Sequence, residues 1–260
     1  MYRHILNEHI IIDEDRNPED IDVSGFTLKS SLCPDFWNDD EFDQHARKNL
    51  LIIAKDFLEG LELCDNIEDI TITGSLANYN WDEENSDIDL HIIMDFSKIS
   101  EDKDLVKKYF DAERKNWNQK HADITIYGYP VEIYLQDIDE PHKSSGVYSL
   151  LYGEWLKKPS SDNLSDNDTD FDNVQTLTSD LMNKIDDLEG RLEYDNDPET
   201  IYDEADQLFS EIKEIRKDGL ESRNPEMSDG NLIFKSLRRS GYIEKLLDIK
   251  IKAYDQFNSL

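Results

Sequence analysis

The stretch Ile70-Thr71-Ile72-Thr73-Gly74-Ser75, followed after eleven residues by Asp87-Ile88-Asp89-Leu90-His91-Ile92-Ile93-Met94-Asp95-Phe96, decides how the rest of the chain is read. β-branched residues alternate up to Thr73, and Gly74-Ser75 then stops the run, so 70–73 reads as a strand ending in a turn. Ile88 to Phe96 reads as a second, more buried strand. Side chains alternate across a strand, so Asp87 and Asp89 point to one face and Ile88 and Leu90 to the other. Two carboxylates on one face suit a shared divalent metal.

Outward from this pair, Leu50, Ile53, Ala54, Phe57, Leu58 and Leu61 recur at helical spacing and predict an amphipathic helix before the first strand. A charged helix follows the second strand, from Glu101 to about Lys120, with Leu105, Val106, Tyr109, Phe110 and Trp117 on its apolar side. Asp123 to Tyr127 and Val131 to Leu135 then read as a β-hairpin turning at Gly128-Tyr129-Pro130. Val147 to Trp155 fits a further strand or a short helix equally well. The expected core is a mixed sheet flanked by helices, an α+β fold over residues 1–158. Its first 40 residues are irregular, with Phe36-Trp37 as the pair that pins them to the core.

Ser, Asn and Asp dominate 159–173, read as an acidic solvated linker. Its alternating acids Asp166, Asp168, Asp170 and Asp172 do not make a calcium loop, since Phe171 and Leu177 stand where Gly and a bidentate Glu are needed. Residues 174–260 read as a C-terminal helical domain. Val174, Leu177, Leu181, Ile185, Leu188 and Leu192 predict one helix, and Ile201, Ala205, Leu208, Ile212 and Ile215 its antiparallel partner. A last helical region runs from Asn231 to Phe257 with Ile243, Leu246, Leu247, Ala253 and Phe257 inward and Gly241 as a possible break.

Chemistry concentrates at the opening stretch. Glu132, between Val131 and Ile133, supplies a third carboxylate if its strand lies beside the first, with Asp123 as the alternative. Three oxygen donors on adjacent strands suit Mg²⁺ or Mn²⁺ rather than zinc. Two such ions about 4 Å apart activate an attacking hydroxyl and stabilise departing pyrophosphate. Gly74 and Ser75, at a strand end opening a short helix, offer N–H groups and a hydroxyl to phosphate. His91 shares the aspartates' face and reads as a hydrogen-bonded structural histidine. In the last helix Lys235, Arg238 and Arg239 lie at i, i+3 and i+4, in a segment (229–260) where six Lys/Arg outnumber four Asp/Glu. Triphosphate charge can be met there, by Lys235 and Arg239 in particular, with Lys143 as a further candidate. The bland reading is an exposed basic face paired with acids. An isolated Asp-x-Asp among 60 acids means nothing by itself; strand placement, the preceding Gly-Ser and the later Glu132 strand give it weight. P-loop, dinucleotide-binding, zinc-protease and hydrolase-elbow motifs are absent from the sequence.

The arrangement of Gly74-Ser75, eleven residues, Asp87-Ile88-Asp89 and a later strand acid resembles the signature of the DNA polymerase β-like nucleotidyltransferase superfamily over Gly74 to about Leu135. The run from Glu140 to Ser149, with Pro141, His142, Lys143, Ser144, Ser145 and Gly146, looks like that of uncharacterised phage-encoded members. The resemblance implies a nucleotidyltransferase-like mixed-sheet core using ATP or another NTP, with Asp87, Asp89 and Glu132 as metal ligands and Gly74 and Ser75 at the triphosphate. Where many members carry an Arg soon after the Gly-Ser pair, this chain has Asn78 and Tyr79.

Composition narrows the partners. With 60 Asp+Glu against 28 Lys+Arg, a net charge of −32 disfavours a surface that grips long nucleic acid. The expected acceptor is a small molecule, a protein or a second nucleotide, with a tRNA end ranked lower. The rival is a non-catalytic acidic interaction protein that mimics nucleic acid on a degenerate transferase fold. The chain shows no apolar run of about 20 residues and no secretory pattern, so the expectation is a cytoplasmic protein without a membrane partner. Cys33 and Cys64 are far apart and read as reduced packing thiols.

Overall fold

A computed structural model describes residues 16–63, 67–160, 169–194, 197–222 and 224–259. Ile10 to Ile12, Cys64, Asp166 and Asp168 therefore lie outside the described residues. The chain divides into two compact units. One holds Val23–Thr169 with Arg216–Leu232, and the other holds residues 16–22, Asp170–Ile215 and Ile233–Leu260. The architecture is α+β, a six-stranded mixed sheet with flanking helices and a C-terminal helical region. No helix among the described residues is long and apolar enough to cross a membrane.

In the first unit a small ribbon, β1 (Trp37–Asn38) and β2 (Glu41–Phe42), precedes helix α1 (Gln44–Gly60). The strands are too short to show periodicity. Phe36 and Trp37 are buried, and the Trp37 indole donates to the Leu76 carbonyl at 2.8 Å, so the pair does pin the arm. Asp43 caps α1 by accepting the Ala46 N–H at 2.7 Å, and Ala46, Leu50, Ala54, Phe57 and Leu58 form its buried stripe.

The sheet comprises β3 (Ile67–Thr73), β4 (Ile88–Met94), β5 (Thr125–Ile126), β6 (Tyr129–Asp137), β7 (Val147–Ser149) and β8 (Glu154–Lys157), in the order β5-β6-β4-β3-β7-β8. β3 is antiparallel to β4 and β7, whereas β4 and β6 are parallel. A parallel pair needs a crossover, which helix α2 (Lys103–Lys120) supplies, capped by Asp102 accepting the Leu105 N–H. Ile70, Ile72, Ile88, Leu90, Ile92, Met94 and Ile133 join the α1 stripe in one core. Burying each such aliphatic side chain contributes roughly 1.5–3 kcal/mol.

The expected hairpin exists with its turn shifted. Ile126 pairs with Tyr129, leaving Tyr127 and Gly128 as a two-residue loop with both φ positive, 55° and 94°. That loop follows the right-handed twist of the strands. Pro130 sits inside β6 near its start, where a missing N–H is tolerated. Asp123 falls before β5. The undecided Val147–Trp155 segment is two antiparallel strands, β7 and β8, meeting around Gly153 at φ 71°.

The helical unit contains α3 (Phe171–Tyr194), most of α4 (Pro198–Leu220), part of α5 (Asp229–Arg239) and α6 (Tyr242–Asn258). The Arg191 guanidinium meets Glu204 at 2.5 Å. α3 ends at Tyr194 and α4 starts at Pro198, and residues 183–188 of one line a pocket with 204–211 of the other, so the short connection makes the two antiparallel. Gly241 does break the last helical region, in the left-handed conformation at φ 75°. Two expected inward residues are exposed, Leu177 and Phe257; Thr178 and Ile249 are buried instead. Arg16 belongs to this unit, with its carbonyl accepting from Ser179 at 2.6 Å and its N–H donating to Asn183 at 3.0 Å.

Candidate active site

Register turns one face of the sheet into a grid of polar residues. Thr73 on β3, Asp89 on β4 and Glu132 on β6 form one row, and Thr71, His91 and Tyr134 form the next. Asp69, Ile93 and Gln136 form a third. Partners in register share a face, so Asp89 and Glu132 are side by side, because the Glu132 strand does lie beside the first. Asp87 stands just before β4.

Gly74 closes the top of this face. Its backbone adopts φ 71° and ψ −155°, a region almost reserved for glycine. A Cβ built there would lie 1.9 Å from Asp89 Oδ2. The glycine of the Gly-Ser pair and the second aspartate are thus fitted to each other. Ser75 opens a three-residue 3₁₀ turn, Ser75–Ala77, and its hydroxyl is 2.8 Å from that of Ser86, which accepts the Asp82 N–H at 2.9 Å. The loop between the motif's halves is tied by the residue preceding Asp87.

Tyr134 registers the local field. Its phenol donates to Glu132 Oε2 at 2.6 Å. Its pKa is raised first by burial and then by the charges of Asp89 and Glu132, with a smaller push from Asp87. All three carboxylates therefore act on one neighbourhood. The Arg114 guanidinium lies over the Tyr134 ring, 4.6 Å from its centroid. His91 stacks on Tyr134 at 5.0 Å and bonds Gln136 at 2.8 Å. Burial drives its pKa down to about 4, so the ring is neutral at pH 7, as a structural histidine should be. Among the described residues no three His, Cys, Asp or Glu side chains lie close enough together to hold a metal ion as they stand.

The loop 138–146 returns to this end of the sheet. Gln136 donates to the Glu140 carbonyl at 2.8 Å, and the Gly74 N–H donates to Ser144 Oγ at 3.3 Å. Gly146 packs so tightly that a Cβ would lie 1.8 Å from the Ala77 carbonyl oxygen. Beside it, four donors converge on the carboxylate of Glu226, from the 3₁₀ turn Pro225–Met227. Oε1 accepts the Ser145 N–H at 3.0 Å, the Ser145 hydroxyl at 2.9 Å and the Ser144 hydroxyl at 3.3 Å. Oε2 accepts the side-chain amide of the buried Asn78.

Sequence reasoning named Gly74, Ser75, Asp87, Asp89 and Glu132, and these share one unit and one end of the sheet. Lys235 and Arg239 belong to α5 in the helical unit. Tyr134 was missed although its i+2 spacing from Glu132 puts it on the same face. No local signal marks Glu226. Tyr148 is core, with its ring 5.1 Å from Trp37 and 5.2 Å from Trp155. Cys33 is buried against Tyr129, and burial raises its thiol pKa, which fits a packing role.

No protein-family model matches the chain, and no curated protein matches it. Among solved structures it is similar to a STING-associated CdnE c-di-GMP synthase from Capnocytophaga granulosa, at 12% identity over 83% of this chain and 84% of that one, with a TM-score of 0.23. A likeness at that TM-score carries no argument about what this chain does.

Proposed function

We propose that the protein is a nucleotidyltransferase that moves a nucleoside monophosphate from an NTP to an acceptor hydroxyl and releases pyrophosphate. One observation carries this reading: Asp89 and Glu132 lie in register on adjacent parallel strands while Gly74 of the Gly-Ser pair is moulded against Asp89. Two segments separated in sequence thereby lie side by side.

The donor chemistry suits a hard divalent cation. Asp87, Asp89 and Glu132 are all carboxylates, and all three press on Tyr134. When bound, Mg²⁺ or Mn²⁺ would supply Lewis acidity toward the acceptor hydroxyl and the departing phosphates. Glu132 must first give up the Tyr134 phenol, a hydrogen bond that orients it in the meantime. Glu132 would then accept the acceptor's proton, beside the neutral His91 ring stacked on Tyr134. Gly74 and Ser75 would position the triphosphate. The preferred acceptors are a small molecule, a protein or a second nucleotide.

The test incubates the protein with each α-labelled NTP, Mg²⁺ or Mn²⁺, and an extract containing protein, RNA and metabolites. Label should enter one fraction, and an Asp87→Ala/Asp89→Ala variant should transfer at least about 10³-fold less while keeping its melting profile. If no label moves with either protein, the acidic interaction protein on a retired transferase fold takes its place. Separation of products from NTPs alone distinguishes a soluble nucleotide from a modified acceptor.

A further inference from the structure

We propose that the donor cluster of Asn78, Ser144 and Ser145 is a phosphate seat, and that Glu226 is an internal anion which the terminal phosphates of a nucleotide displace. This deepens the transferase reading and rests on it for the identity of the ligand.

The donors come from two separate segments of the sheet unit and share a direction. Three hydrogen bonds, from the Ser145 N–H and the hydroxyls of Ser144 and Ser145, end on one carboxylate oxygen. The Asn78 amide takes the other oxygen. Every contributing group is an N–H or O–H donor, and a carboxylate only accepts. A phosphate is likewise an acceptor-only anion, with more oxygens to offer. Lys157 on β8 donates its ammonium to the Ser144 carbonyl at 2.8 Å, so a cation stands beside the same loop.

This donor cluster is joined to the Gly74 end of the sheet by one atom. Ser144 Oγ accepts the Gly74 N–H at 3.3 Å and the Gly146 N–H at 3.3 Å, while it donates to Glu226. A group seated in place of the Glu226 carboxylate is therefore one hydroxyl away from the backbone that touches Asp89. That adjacency suits the β- and γ-phosphates of a substrate whose α-phosphate faces Asp89 and Glu132. Glu226 itself comes from a distant part of the chain, 148 residues beyond Asn78, on a short 3₁₀ turn whose Glu226 carbonyl is held by the Asn231 amide at 3.0 Å. Buried Met227, whose carbonyl accepts the Thr169 hydroxyl at 2.7 Å, anchors the turn, so the Glu226 carboxylate leaves by rotation of its own side chain, and loss of its four bonds loosens the 225–231 segment. Affinity for an anion is then set by competition with a tethered carboxylate, and it reports how firmly the 225–231 segment is held.

The probe is inorganic tripolyphosphate, titrated calorimetrically into the full chain. Glu226→Gln keeps the size and one acceptor but removes the charge, and it should tighten tripolyphosphate at least about tenfold. Adding Ser145→Ala to that variant should cancel most of the gain. In the unaltered protein, saturating tripolyphosphate should speed amide hydrogen exchange over residues 225–231. A Glu226→Gln protein that melts normally and binds tripolyphosphate no more tightly than its parent overturns the proposal. If that variant fails to fold, unchanged or slower exchange over 225–231 in the parent overturns it equally. Label transfer is scored separately: tighter anion binding without transfer keeps the seat and rejects the transferase, and transfer without tighter binding does the reverse.

Discussion

Gly74 shows how much one missing methyl group can carry. Its φ of 71° with ψ −155° costs a non-glycine residue about 1–3 kcal/mol, before any clash. The clash is with Asp89 Oδ2, 1.9 Å from where a Cβ would stand. Gly74→Ala should therefore lower the melting temperature by several degrees and push Asp89 out of line, cutting label transfer far more than stability alone explains. Gly190 supplies the contrast. It lies within α3, and a methyl group added there would meet nothing within 4 Å, so Gly190→Ala should raise stability by about 0.5–1 kcal/mol and leave transfer unchanged. Thermal melts and transfer rates of both variants check the pair. Should Gly74→Ala melt and transfer like its parent, the fit between glycine and aspartate has no consequence.

At the scale of elements, β6 poses a problem that α2 solves. Ile133 lies beyond the short β5, and Asn118 of α2 serves its backbone instead, accepting the N–H at 3.2 Å and donating to the carbonyl at 3.5 Å. One side chain stands in for a neighbouring strand. Asn118→Ala should cost about 1–3 kcal/mol, read as a melting temperature several degrees lower, while Asn118→Asp should recover the N–H contact only. A melt unchanged by Asn118→Ala would mean that water serves the edge equally well.

Elements also show what was legible beforehand. β3, β4 and β6 were readable because polar and apolar residues alternate through Ile70–Thr73, Ile88–Ile92 and Val131–Leu135, and the parallel pairing of β4 with β6 then sets Asp89 beside Glu132. The hairpin turn was misplaced because Pro130 reads as a breaker, although a strand tolerates it near its start. β1 and β2 have two residues each, too few for a period. β7 and β8 are short and aromatic, so pattern alone could not separate strand from helix. Glu226 was invisible for a different reason. Its partners are fixed only by the tertiary path of a chain that leaves the sheet unit after Thr169 and returns at Arg216.

Across the whole molecule the dominant quantity is a charge of −32. Ion pairs such as Lys245 with Asp186 at 2.6 Å and Lys103 with Asp137 at 3.1 Å neutralise a few of the acids. The remaining like charges repel one another more in a compact fold than in an extended chain. Raising salt from about 20 mM to about 200 mM shortens the screening length several-fold and should raise the melting temperature. A fall would show that the ion pairs outweigh the repulsion. The same screening should strengthen tripolyphosphate binding less in the Glu226→Gln protein than in its parent, since one local repulsion is already gone.

Synthesis runs from the N-terminus, and that order matters for the split unit. Ser145 and Glu226 are 81 residues apart. At ~5–20 residues per second the ribosome takes about 4–16 s to cover that distance. For those seconds the nascent chain carries its serines without the carboxylate that ends on them, so an external anion would compete there without its tethered rival.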